Sequence, residues 1–385
     1  MRLGGGAVRR RRSITSRKSP IHFSRQKRIF LFEVIGQNGG NLVKSPASSY
    51  FLKMPSAKVV IDDIPFLSED ALQLRLRWAK ALGGIREVSV QNAEWLELLG
   101  DDGRNTLAIE GEFFEKKELE ETLLRQDSAQ DRLLGAMNFF DAALSGYEFA
   151  LRQAQENEPR VDKSLILQFH AMLFRRIPRS FSQEPGTWSL GERKVQRAGF
   201  SPLPPARIEP AIRRLLSFVN NSQLPAWRLA AVSHALFEFI HPFPDGNGRV
   251  GRLLVNFILL SRGLLPIIVK GIHEKDRERY YSALEATNAG AEAFFAKEWE
   301  EPSADFARSL EQLFRVALAE SFDFIICRRM RERGELFPIS EVARLTGRKP
   351  TSFRVACSQK RFISRRFGRQ RWSHPKLLGE PPALL

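Results

Sequence analysis

Two cysteines in 385 residues, Cys327 and Cys357, are too few for a disulfide framework and lack metal-ligand spacing. A reducing cytoplasm is the compartment this favours. Long hydrophobic runs are also missing. The apolar stretch Leu253–Leu260 stops at Ser261, Arg262 and Gly263, too short to cross a bilayer. Ile29–Ile35 is short as well and holds Glu33, which argues against the core of a signal peptide. No membrane partner is expected. Acid is nearly absent at both ends. Residues 1–60 hold thirteen Lys/Arg and one acid, and residues 321–376 hold fifteen Lys/Arg and four acids. The net charge of +16 therefore resides at the termini, and the middle of the chain is mildly acidic. Basic ends suit a polyanion or simply a solvated surface.

What is present is an ordinary soluble composition, 43% hydrophobic and 27% charged, in a chain long enough for more than one unit. Residues 1–53 stand apart, with Gly4–Gly6, Arg9–Arg12 and scattered serines, and read as a basic, disordered tail. Translation from Met54 is a second reading of the same shift, which peptides from 1–53 in the native protein would exclude. Beyond it, helices are expected at Asp70–Leu82, stopped by Gly83-Gly84, and at Asn92–Leu99, ended by Gly100. The clearest is Asp131–Leu151, where Leu133, Met137, Phe140, Leu144, Tyr147 and Leu151 recur at steps of four and three. Lys163–Phe174 continues the pattern, with His170 expected to be a structural partner. Further helices follow Pro205 and cover Ala226–Ile240, Arg277–Leu284 and Ala304–Phe322. Leu253–Leu260 is apolar nearly all round, which places it at the bundle centre.

One stretch gathers unusual chemistry: His241-Pro-Phe-Pro-Asp-Gly-Asn-Gly-Arg-Val-Gly-Arg252. It lies between two apolar-periodic segments, as a loop leading into a helix N-terminus. Such a terminus offers free N–H groups and partial positive charge, and glycines let the backbone approach a ligand. His241 titrates near neutrality and suits a general base. Asp245 is a carboxylate suited to Mg²⁺, which takes oxygen ligands. Gly246, Asn247 and Gly248 can turn N–H groups toward phosphates. Arg249 and Arg252, three residues apart, share a helical face and carry phosphate-matched guanidiniums. Phe243 reads as an apolar anchor. Each residue alone has a bland explanation; together they point to a nucleotide triphosphate.

This stretch resembles the motif of the Fic family, His-x-Phe-x-Asp/Glu-Gly-Asn-Gly-Arg-x-x-Arg, at all its specified positions. The resemblance extends loosely over residues 100–300. It implies a mainly α fold: a Fic-type helical bundle with a small β-hairpin flap. It also implies a protein adenylyltransferase that moves AMP from ATP, with Mg²⁺, onto a hydroxyl of a target protein. Gly246-Asn247-Gly248-Arg249 differs from the Lys-containing form of the Doc-type kinase toxins. Upstream, Thr106-Leu-Ala-Ile-Glu110-Gly111 fits the family's inhibitory motif, Ser/Thr-x-x-x-Glu-Gly/Asn. By resemblance, Glu110 pairs with Arg252 and displaces the γ-phosphate; read alone, the segment is a helix end with Gly111 as its cap. The flap, which pairs with the target segment by backbone bonds, is expected within Arg193–Phe200, at Arg193, Lys194, Val195 and Gln196. Relatives often form dimers, so a homodimer is possible.

The last part changes character. Ile339–Gly347 reads as a short helix capped by Ser340, Lys349–Phe362 as a second helix and Phe367–Ser373 as a β wing. That order resembles a helix-turn-helix or winged-helix module. Arg348, Lys349, Arg354, Lys360 and Arg361 are its candidate DNA-phosphate contacts. The expected organisation is a tail at 1–53, a helical region with the inhibitory motif at 54–125, a Fic core at 126–320 and the basic module at 321–385. Two alternatives stay open. One is a DNA-binding regulator using the core as a nucleotide sensor. The other is a Fic variant that transfers another nucleotide or phosphocholine.

Overall fold

Start and stop residues frame a succession of helices. In the computed structural model, which describes residues 64–125, 131–175, 177, 183–193, 200–296, 303 and 305–381, Ser68 accepts the Ala71 N–H at 3.3 Å and opens α1 (Glu69–Ala81). Gly83 and Gly84, both at positive φ, close it. Then come α2 (Ala93–Ile109), α3 (Lys116–Arg125), α4 (Asp131–Glu156) and α5 (Lys163–Leu173). Next are α6 (Pro205–Asn221), α7 (Ala226–Ile240), α8 (Asn247–Leu260), α9 (Glu274–Glu285), α10 (Asn288–Ala296) and α11 (Arg308–Glu332). The chain ends in β1 (Phe337–Pro338), α12 (Ile339–Leu345), α13 (Pro350–Ser358), β2 (Arg365–Phe367) and β3 (Gln370–Ser373). The three strands form one antiparallel sheet in the order β1-β3-β2, with Phe337 opposite Ser373 and Arg365 opposite Trp372.

The centre is the pair α7 and α8, joined by the 241–246 loop. Nearly every residue of both is buried, as the all-round apolar pattern of Leu253–Leu260 requires. Helices α4, α5 and α2 pack on α8, and α6, α10 and α11 pack on α7. His170 is structural, as expected: its Nδ1 accepts the Gly186 N–H at 2.8 Å and its ring stacks on Phe243 at 3.9 Å.

Several expectations need correction. Helix α2 does not end at Gly100 but runs on through Gly103 to Ile109. Packing overrides the glycine signal here: a Cβ at Gly103 would lie 2.3 Å from the Phe140 ring, so glycine is what lets α2 approach α4. Ser340 is not a cap; Pro338 stands at that position, without a side-chain hydrogen bond. Helix α10 was not expected. Helix α11 is continuous across residues 320 and 321, and Arg75 on α1 joins Asp323 on α11 to the carbonyl of Lys360 after α13. The expected module boundary therefore falls inside a helix.

Candidate active site

Helix α7 ends on His241, which takes a left-handed conformation (φ 50°, ψ 61°) while its N–H still donates to the Phe237 carbonyl at 3.0 Å. That conformation is uncommon for a side-chain-bearing residue and costs roughly 1–2 kcal/mol. It turns the chain sharply out of the helix and leaves the imidazole 18% exposed. The loop is then pinned at two places. Phe243 is fully buried against His170 and Trp188, as an anchor should be. The Asn247 side chain grips the Phe243 backbone twice, accepting its N–H at 2.9 Å and donating to its carbonyl at 2.8 Å. Asn247 therefore staples the loop with its side chain and leaves only its backbone N–H for a ligand.

Gly246 sits at φ 77°, where a Cβ would meet the Phe174 ring at 2.7 Å. The first helical bond of α8 runs from the Val250 N–H to the Gly246 carbonyl. The N–H groups of Asn247, Gly248 and Arg249 precede it and face outward from the helix N-terminus. Arg249 lies over the Phe174 ring and 3.6 Å from Asp245, whose side chain is 54% exposed. Arg252, one turn further in, is buried at 3%.

Glu110 closes the same terminus. Its Oε1 lies 2.5 Å from the Arg252 guanidinium, and a Cβ built on Gly248 would meet that oxygen at 2.7 Å. A carboxylate thus occupies the anion position that a helix N-terminus provides. Arg252 also donates to the Thr106 carbonyl at 3.3 Å, and the Thr106 hydroxyl donates to Asp102. Gly111, at φ 91°, ends α2 with its own N–H on the Ala108 carbonyl and that of Glu112 on the Leu107 carbonyl. Residues 106–111 form the end of α2 expected of them, with the Glu110 carboxylate paired to Arg252. Burial pushes the Glu110 carboxyl up, but the Arg252 and Arg249 guanidiniums hold it below its ordinary value. Burial lowers the His241 imidazole to about 4, assisted by the Arg193 charge and opposed by the Glu238 backbone, Glu110 and Asp245, so the ring is neutral at pH 7.

Arg193, the first expected flap residue, is near enough to act on His241 and donates to the Leu203 carbonyl. Lys194, Val195 and Gln196 lie outside the described residues. The preceding turn is tied to the motif loop, with the Ser189 N–H on the Pro242 carbonyl at 2.8 Å. Three buried groups were not singled out from the sequence. Glu238 Oε2 is 3.9 Å from His241 Nδ1, and His234 Nε2 lies 2.7 Å from the Tyr280 hydroxyl. Glu238 Oε1 has no hydrogen-bond partner among the described residues, and burial raises this carboxyl to about 8. For His234 and Glu238 the signal was polar residues at i and i+4 on the largely apolar α7. Among the described residues, no group of three His, Cys, Asp or Glu could hold a metal, and Asp245 is the one carboxylate of the 241–246 loop.

Residues 160–259 match the Fic/DOC family. A probable protein adenylyltransferase of Aquifex aeolicus is 32% identical over 171 residues, 44% of this chain and 50% of that protein. The protein adenylyltransferase fic-1 of Caenorhabditis elegans is 29% identical over 153 residues, 39% of this chain and 28% of its own. The chain thus spans half or less of the curated relatives it matches here. A Fic-domain-containing signaling protein from Bacteroides thetaiotaomicron has the same fold, with a TM-score of 0.57 at 21% identity over 68% of this chain and 97% of that one. Among the described residues no helix is long and apolar enough to cross a membrane.

Proposed function

We propose that this protein is a protein adenylyltransferase, moving AMP from ATP to a hydroxyl side chain of a target protein, and that Glu110 restrains it. The observation that carries the reading is the convergence of a neutral imidazole and two guanidiniums on the N-terminus of α8, with Glu110 seated there. His241 accepts the proton of the attacking hydroxyl. Its basicity rises when the phosphates of a bound nucleotide bring negative charge close to the ring. The N–H groups of residues 247–249 and the Arg249 guanidinium hold the phosphates. Asp245 fits a Mg²⁺ ion that it would share with the phosphates and water, and that ion would offset charge on the leaving pyrophosphate. Arg252 is free for the γ-phosphate only when Glu110 leaves it. A nucleotide sensor without transfer chemistry has no use for a base at this place.

The test is labelling with α-labelled ATP, Mg²⁺ and cell lysate, using wild type, Glu110→Gly and His241→Ala. Glu110→Gly is expected to label itself and a lysate protein well above wild type, and His241→Ala to label neither. Equal labelling by wild type and Glu110→Gly sinks the restraint. Labelling by His241→Ala sinks the base. Equal use of UTP reassigns the nucleotide.

A further inference from the structure

A cleft of about 990 Å³ opens between the C-terminal turns of α11 and the β2–β3 hairpin, away from the Fic loop. Five arginines line it: Arg328 and Arg331 from α11, and Arg365, Arg366 and Arg369 from the hairpin. Two acids share it, and both are already answered. Glu97 takes Arg328 at 2.9 Å and Arg365 at 3.0 Å, and Glu332 takes Arg328 at 3.1 Å. Arg331, Arg366 and Arg369 have no acidic partner among the described residues, so three positive charges remain in excess.

These guanidiniums are also arranged. The Arg331 guanidinium lies over the Phe367 ring at 4.6 Å and that of Arg365 over Phe324 at 4.2 Å, cation–π contacts that hold both side chains at the cleft. At the hairpin tip a Cβ on Gly368, at φ 60°, would meet nothing within 4 Å, and Gly368 and Arg369 are both exposed. By contrast, the residues expected to contact DNA are partly spent. Lys360 pairs with Glu320 at 3.0 Å. Lys349, Arg354 and Arg361 are exposed and form a second basic surface around α13.

We propose that this cleft binds the sugar-phosphate backbone of a nucleic-acid duplex, without reading its sequence. Guanidinium edges match phosphate oxygens. Phe324 and Phe367 carry arginines over their rings and Trp372 is partly buried against the core, so little aromatic face is open to unstacked bases, which disfavours a single strand.

The experiment measures binding of a labelled 20-base-pair DNA duplex, an RNA duplex and a single strand to the full chain by fluorescence anisotropy across a salt series. The triple variant Arg331→Ala/Arg366→Ala/Arg369→Ala is compared with wild type and with Lys349→Ala/Arg354→Ala/Arg361→Ala. Each lost phosphate contact lowers the salt slope by about 0.9, so the cleft variant is expected to lose roughly 2.7 and to bind at least tenfold more weakly. Reading the change in slope separates the cleft from the basic stretch at 1–53. Arg369→Ala alone, at an exposed tip where folding is not at stake, is expected to lose about 0.9. Binding that depends on the cleft for either duplex supports the proposal and names the nucleic acid. A slope loss of about one contact or less in the triple variant, a single strand bound as well as a duplex, or loss only in the α13 variant overturns it.

Discussion

Glu238 shows how a single buried group can set a pH response. Its carboxyl sits 3.9 Å from His241 Nδ1, packed against Gly251, where a Cβ would come within 2.4 Å of Oε1. Burial raises it to about 8, against 4.5 in an unfolded chain. Between those values the folded chain keeps a proton that the unfolded chain has released. The associated stability is full below about pH 4.5 and is lost as pH rises toward 8. Glu238→Gln carries no such dependence. The melting temperature of the variant minus that of wild type should therefore be near zero at pH 5 and widen by several degrees by pH 8.5, a difference on the order of a few kcal/mol. A gap that stays constant with pH would mean that Glu238 is ionised in the fold.

At the scale of elements, α2 acts as a rigid holder for Glu110. Asp102 on α2 accepts the Tyr147 hydroxyl of α4 at 2.8 Å, and Asn256 of α8 donates to both. Asn105 accepts the Gly271 N–H at 2.9 Å, and the Tyr281 hydroxyl donates to the Ile109 carbonyl at 2.9 Å. Close approach of α2 to α4 depends on Gly103, opposite a rigid Phe140 ring. Gly103→Ala is expected to overpack this contact, costing about 1–3 kcal/mol, and to shift α2 enough to weaken the Glu110–Arg252 pair. The readouts are a lower melting temperature together with more self-labelling. A variant as stable as wild type would show that α2 and α4 do not pack this closely. The sequence pattern read Gly100 as a stop because local signals cannot report a neighbouring helix.

Across the whole molecule, the helical bundle and the C-terminal elements share one buried hinge of charge. Arg75 on α1 is fully buried, donates to Asp323 on α11 at 2.8 Å and reaches the Lys360 carbonyl at 2.8 Å. Asp323 is buried as well. Arg75→Met would leave that carboxylate unpaired, with an expected loss of about 3–5 kcal/mol in denaturant unfolding. The double variant Arg75→Met/Asp323→Leu is expected to recover most of it, since a packed apolar pair has no charge to desolvate. If the single variant unfolds at the wild-type midpoint, Asp323 is not held by Arg75. The pair is also why the expected boundary at residue 321 does not divide the structure: α11 and its ion pairs run through it.

What the sequence determined by itself is the 241–252 turn and the helices around it. The imidazole, carboxylate, glycines and arginines there lie within twelve residues of sequence, so spacing alone brings them together, and apolar periodicity marks α4, α7 and α8. Only the tertiary structure decided the rest. Glu110 meets Arg252 across 142 positions of chain, and the hairpin arginines meet those of α11 across a cleft. Such meetings depend on which helix faces pack and how closely, and that is settled by side-chain volume and burial far from the residues concerned.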